Sequence, residues 1–250
     1  MRLFGRDVPI VFSLAIWFAL WEIAGHAGLS TVVPPLSKVL VAGLDVVRTD
    51  KFANAALISL RSFALGMAFA LAIGIALGVL MARVKPVGRL LGMWVNIFVS
   101  APISALVPIL MVVLGIGEAT VVVTVFLFAV FVIILDTRIG IEHADRSLVE
   151  MALSFGATRA QVYRHVLVFG ALPEILAGVR LGAIRGVKGV VIGQLLVAII
   201  GVGELFELYS QHFLMEEFWA LVLVVFLFAF AVSEAIAAIE RRVDYYAAAR

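Results

Sequence analysis

The chain of 250 residues has no cysteine, which removes disulfides, thiolate metal sites and a cysteine nucleophile and leaves the redox compartment open. Charge is scarce too. Asp, Glu, Lys and Arg make up only 14% of the residues, against about 25% in soluble domains. The four histidines, His26, His143, His165 and His212, show no metal-ligand spacing. There is no Gly-x-x-x-x-Gly-Lys-Ser/Thr loop, so ATP hydrolysis is not expected in this chain, and no HExxH or Gly-x-Ser-x-Gly constellation that would suggest an intramembrane enzyme.

Apolar residues are abundant instead, at 64% of the chain with a mean hydropathy of +1.17. These values argue against a soluble fold. A transmembrane helix needs about 20 mostly apolar residues to cross about 30 Å of hydrocarbon, and six runs qualify: about Val8 to Ile23, Ser62 to Ala82, Leu90 to Gly117, Ala119 to Leu135, Leu176 to Ile200 and Phe218 to Ile239. None alternates with the period of two expected of porin strands, so the expected class is an all-α membrane protein with a single transmembrane domain over residues 1–250. Arg2 and Arg6 before the first run, and Ala24-Gly25-His26-Ala27 after it, also resemble a signal peptide. Trp17, Trp21 and Glu22 fit a retained membrane helix better.

The net charge of +2 and a pI near 9.1 do not point to nucleic acid, because the basic residues fall in short clusters between apolar runs. Placing both termini in the cytoplasm puts twelve Lys and Arg in inside segments and four outside, all four in the first loop, as the positive-inside rule requires. The expected location is the bacterial inner membrane, with the lipid bilayer as solvent.

The segment between the fourth and fifth runs, about residues 147–168, is too patterned for a passive linker. Ser147 with Glu150, and Thr158 with Gln161, each have the spacing of a capping box. Gly156 between them is suited to ending a helix with positive φ, and Pro173 suits the first turn of the helix that follows. The pattern predicts an elbow of two short helices bent at Gly156 on the cytoplasmic face.

The run Glu150-Met151-Ala152, Gly156-Ala157, Leu172-Pro173 and Gly178-Val179-Arg180-Leu181-Gly182 resembles the EAA loop of binding-protein-dependent ABC importer permeases. Val33-Pro34-Pro35, Ser59-Leu60-Arg61, Ala101-Pro102, Val107-Pro108, Gly115-Ile116-Gly117 and Gly201-Val202-Gly203 extend the resemblance to the nitrate/sulfonate/taurine branch, over roughly residues 30 to 245. The resemblance implies a type I importer fold and a coupling elbow in which Glu150, Met151, Ala152, Gly156, Ala157, Leu172 and Pro173 serve docking on a separate ATPase. It also implies the partners: two ATPase copies that bind the ATP and Mg, a second permease that completes a dimer, and a periplasmic or lipid-anchored solute-binding protein. The cargo implied is a small anion. Met151 stands where the family usually has alanine, and Gln194, a translocation-pathway candidate in the fifth run, where many relatives of this branch have glutamate.

Charged groups inside spans are functional candidates by default. Arg185 and Lys188, at i and i+3 on the fifth run, share a face and offer positive charge to an anion; the alternative is that both reach back to the cytoplasmic interface. Pro102 and Pro108 interrupt the third run, and Ser100 and Ser104 lie beside them as pathway-lining candidates, although helix contacts explain serine equally well. A self-contained secondary transporter or channel is the competing reading, but the inverted repeats and buried acid/base relays such proteins carry are not visible.

Overall fold

The computed structural model describes residues 2–3, 6–7, 10–28, 30–143, 146–197 and 199–248, with side chains from 12 to 242 apart from 29, 144–146, 164 and 198. Beyond a two-residue antiparallel pairing of Arg2–Leu3 with Arg6–Asp7, the described chain is helical. In order come α1 (Ile10–His26), α2 (Leu36–Val47), α3 (Asp50–Arg83), α4 (Lys85–Ser100), a 3-10 turn (Ile103–Leu106), α5 (Val107–Leu114), α6 (Glu118–Glu142), α7 (Arg146–Ser154) and α8 (Arg159–Val162). A π-turn (Tyr163–Leu167), α9 (Val168–Gly170), α10 (Leu172–Val197), α11 (Gly201–Gln211) and α12 (Met215–Ala248) complete it.

Among the described residues three helices, α3, α6 and α12, are long and apolar enough to cross a membrane. Two bent pairs, α4 with α5 and α8–α9 with α10, raise the number to five if each is one span. The first of the six expected spans corresponds to α1, whose 17 residues reach about 25 Å, a little short of the hydrocarbon thickness; Val8, its expected start, lies outside the described residues. The second begins at Asp50 rather than Ser62. Thr49 caps it by accepting the Phe52 N–H at 3.2 Å on Oγ1, and with 34 residues α3 is about 51 Å long, so it extends past the bilayer. That is why Asp50, Lys51 and Arg61 do not end it, and Arg61 pairs with Glu118 at 3.2 Å.

The third expected span is not one helix. α4 and α5 meet at 93°. Pro102 stands in the break, where its carbonyl accepts from the Ala105 N–H at 2.9 Å, and Pro108 is the second residue of α5, where its missing N–H costs nothing. The prolines therefore mark a corner and a helix start rather than interrupting a continuous helix. The segment between the fifth and sixth runs, expected as a loop from about Gly203 to Glu217, instead forms α11 over Gly201–Gln211.

α6 is the axis of the bundle. Its residues Val121, Val125, Ala129, Ile133 and Thr137 are almost fully buried, between a small-residue face of α3 and another of α10. On α3 the face is Gly66, Ala70, Gly74 and Gly78; on α10 it is Gly178, Gly182, Gly186 and Gly189. A Cβ added to Gly74 would stand 2.8 Å from Ile133 Cγ2, one at Gly182 2.8 Å from Ile133 Cγ1, and one at Gly178 2.6 Å from Asp136 Cβ. In lipid, where apolar side chains gain nothing by leaving water, such backbone approach is what holds helices together.

Gly74→Ala is therefore expected to cost about 1–3 kcal/mol through overpacking, read as a lower thermal midpoint in detergent. Gly43→Ala, whose new methyl meets only Ala220 Cβ at 3.5 Å, serves as the control and leaves the midpoint unchanged or slightly higher.

Candidate functional site

The elbow follows from its local chemistry. α7 ends in a Schellman arrangement: the Ala157 N–H donates to the Ala152 carbonyl at 3.0 Å and the Gly156 N–H to the Leu153 carbonyl at 2.9 Å, with Gly156 at φ +83°. A Cβ at Gly156 would meet nothing within 4 Å, so the glycine is required by backbone conformation and not by space. The next arm starts at once. Thr158 Oγ1 accepts the Gln161 N–H at 3.4 Å while Gln161 Oε1 accepts the Thr158 N–H at 2.8 Å, the expected capping box. The other expected box falls at the margin of the described residues: α7 begins at Arg146, one residue ahead of Ser147.

The second arm is not a free short helix. It widens into the π-turn and continues through α9 to α10, with a bend of 53° near Ala171. It is clamped to the bundle. Tyr163 Oη donates to the Val79 carbonyl at 3.3 Å, and the Arg83 guanidinium lies over the Tyr163 ring at 5.4 Å. Ile141, Ala171 and Ile175 form a buried cluster with Ile75 and Val79. Leu172 and Pro173 are half-buried at the start of α10.

The outer side of the elbow is apolar and uncovered. Phe155 is 85% exposed, with Leu148, Met151 and Leu153 also exposed. Phe155, Ala152, Gly156, Ala157, Gln161 and His165 border a notch of about 390 Å³. Glu150 is exposed on α7, while Ala152 and Ala157 are half-buried. Phe155 was not singled out from the sequence, where its signal was a large aromatic directly after the amphipathic α7.

The remaining candidates do not converge on one place. Ser100, Pro102 and Pro108 are exposed and Ser104 is half-buried, all around the α4–α5 corner. That corner also exposes Met93, Trp94, Ile97, Ile109, Val112 and Val113. Arg180 is held by α12, at 3.3 Å from Ser233 Oγ and 3.5 Å from Glu240 Oε2. Arg185 is half-buried, within electrostatic reach of Asp136 on α6, and Lys188 is exposed; neither forms a hydrogen bond or close ion pair among the described residues. Both sit mid-helix on α10, and Arg185 is about 20 Å along it from Leu172. Asp136, a further charged group on a membrane-spanning helix, was not singled out from the sequence.

Gln194 is fully buried, three residues from the end of α10. Its Oε1 accepts the Val202 N–H at 3.1 Å and the Ser59 hydroxyl at 2.8 Å, and Ser59 Oγ in turn lies 3.0 Å from the Val202 nitrogen and 2.9 Å from the Ala55 carbonyl. Val202 is the second residue of α11, whose own cap position, Ile200, offers no side-chain acceptor. α3 and α10 thus cap α11 from outside. Because a backbone N–H has to meet oxygen, the orientation of the amide is set, and Nε2 is left buried without a partner among the described residues. An unpaired buried donor of this kind costs about 1–3 kcal/mol.

Residues 74–245 match the model of the binding-protein-dependent transport system inner membrane components. The chain belongs to this family. Taurine transport system permease protein TauC of Escherichia coli (strain K12) is 27% identical over 236 residues, 92% of this chain and 84% of TauC. Putative aliphatic sulfonates transport permease protein SsuC of the same strain is 31% identical over 222 residues, 85% of this chain and 84% of SsuC. The fold is shared with the inward-facing MetNI methionine ABC transporter, at a TM-score of 0.67 and 22% identity over 77% of this chain and 95% of that one. It is shared as well with an amino acid ABC transporter with histidines, at 0.64 and 16% over 76% and 93%. The permease is accordingly an all-α transmembrane subunit of an ABC importer, of the type I architecture, in a family whose members work with ATPase and solute-binding partners.

Within the permease, Ser59→Ala leaves Gln194 to cap α11 alone. The expected loss is about 0.5–1.5 kcal/mol, seen as faster amide hydrogen exchange in a peptide covering the start of α11; unchanged exchange there would show that the cap from α3 contributes nothing.

Proposed function

We propose that the permease works as a single domain, that its elbow docks on an ATPase, and that it forms one half of a permease pair admitting a small organosulfonate or similar anion through the bacterial inner membrane. The observation that carries this reading is the clamped elbow. A glycine-stopped helix and a box-capped helix present Phe155 and a shallow notch outward, while the same segment is tied to α3 and α6 through Tyr163 and Ala171. A force applied to such a knob reaches the bundle without first bending a loop. Large exposed apolar groups with a half-polar rim are what a partner protein covers.

Two ATPase copies would bind ATP and Mg, one on each elbow, and a second copy of this permease would cover the apolar α4–α5 corner, putting Ser100, Ser104, Pro102 and Pro108 beside the path. The topology adopted has both termini in the cytoplasm, with a periplasmic or lipid-anchored binding protein delivering solute from the other side. Support for an anion comes from the names of the relatives TauC and SsuC and from the position of Arg185 and Lys188. Both lie too far along α10 for their stems to reach its cytoplasmic end, which favours the pathway reading over the interfacial one.

The elbow is tested by co-purifying the tagged permease with its ATPase. Gly156→Val forces a β-branched residue into positive φ and is expected to lower recovery of the ATPase by about tenfold or more, whereas Gly156→Asn, which tolerates that conformation, retains it. Equal recovery with both variants, in permease that elutes as a folded species, would sink the docking role.

For the cargo, uptake of labelled taurine or an alkanesulfonate by reconstituted transporter is expected to fall about tenfold or more in Arg185→Gln and Lys188→Gln, with ATPase recovery unaffected. Normal uptake in both would remove these side chains from the pathway.

A further inference from the structure

Arg138 lies near the end of α6 and reaches across to α4. Its Nη1–H donates to the Gly88 carbonyl at 3.1 Å and its Nε–H to Glu142 Oε1 at 2.8 Å, so the guanidinium is held by oxygens on two helices. α4 makes room for it with two buried glycines about one turn apart. A Cβ at Gly92 would stand 2.8 Å from Nη1, and one at Gly88 3.7 Å from Cζ. This contact bears on the direction of α4, because a single extended residue, Val84, joins that helix to α3. A helix held at one such residue can swing about it; a charge-assisted hydrogen bond at Gly88 removes that freedom.

The same stretch of α6 meets the elbow. Gly140, two positions beyond Arg138 and so about 200° round the helix, is buried against the second arm. A Cβ there would stand 3.1 Å from the Ala171 carbonyl and 2.7 Å from Glu174 Cβ. One face of α6 thus touches the arm while the nearly opposite face grips α4, which runs about 18 Å from Gly88 to Ser100 and the Pro102 corner.

We propose that Arg138 is a positioning residue for transport: it makes α4, and with it the α4–α5 corner, follow α6 when the ATPase moves the elbow. Without it α4 stays hinged at Val84 and the corner no longer answers to the elbow. The inference rests on the docking reading of the elbow and is independent of the cargo.

The test is hydrogen–deuterium exchange on the full-length permease assembled with its ATPase, with and without ATP and vanadate, read in peptides over residues 147–162 and 101–114. In the native complex both the elbow and the corner peptide are expected to change on trapping. Arg138→Gln, too short to reach Gly88, should keep the elbow response and reduce the corner response about fivefold or more. Arg138→Lys, with one charged donor for the carbonyl, should restore part of it. Gly92→Ala leaves the arginine in place, but its methyl takes the position of Nη1 and moves the guanidinium aside; it should reproduce the loss more weakly and add nothing to Arg138→Gln. The proposal is overturned if the native corner does not respond, if the corner responds fully in Arg138→Gln, or if that variant weakens both responses in proportion, as a merely structural role would. It is overturned as well if Gly92→Ala acts equally with and without Arg138. A native complex whose elbow does not respond at all would overturn the docking reading itself, which the Gly156 variants test separately.

Discussion

The contact on which the rest of the permease depends is backbone against side chain along α6. Ile133 is completely buried, with Gly74 on one side and Gly182 on the other close enough that neither position has room for a methyl group. In a solvent as apolar as the side chains themselves, association comes from packing and not from the release of water, so close approach replaces the large-residue core of a soluble bundle. The three helices set in this way carry everything else. α3 supplies Ser59 and Val79, α10 carries the in-span cations, and the base of α6 meets the arm that leads into the elbow.

The elbow gains its stiffness from opposite devices placed in sequence. Gly156 ends one helix by entering a conformation most residues avoid, and Thr158 begins the next with reciprocal hydrogen bonds two positions later. Neither would suffice alone. A glycine without the cap would be a hinge, and a cap without the glycine would leave the helices collinear or frayed. The arm then passes through a π-turn, a local widening often found where helices serve function, and Tyr163 fastens that widened turn to the Val79 carbonyl. The segment that bears Phe155 is thereby joined to α3 and α10 together.

Much of this was legible from residue order. The uncharged runs locate α3, α6 and α12, and the spacing of Thr158, Gln161 and Gly156 foretells the elbow. Other features were hidden for physical reasons. Asp50, Lys51 and Arg61 look like the outside of a span, yet a helix can outrun the bilayer and keep its charges in water or paired. Pro102 fits a kink or a corner equally well, and only the neighbouring 3-10 turn decides for the corner. The glycines of α3 and α10 carry no meaning singly, since their use depends on which helix lies opposite. Gln194 looked like a pathway amide; its oxygen turns out to cap a helix distant from it in the fold, a relation that sequence separation conceals.

The first helix is attached differently from the others. Trp21 Nε1 donates to the Pro34 carbonyl at 3.0 Å, Glu22 accepts from the Ser37 N–H and hydroxyl at 2.9 and 2.7 Å, and Gly25 lies against Pro35. All of these ties are near one end. Farther up, Phe12, Ile16, Trp17 and Leu20 are exposed within the chain. α1 is thus moored like a boat by the stern: its foot is fixed to the protein, while its inclination answers to the thickness of the surrounding lipid.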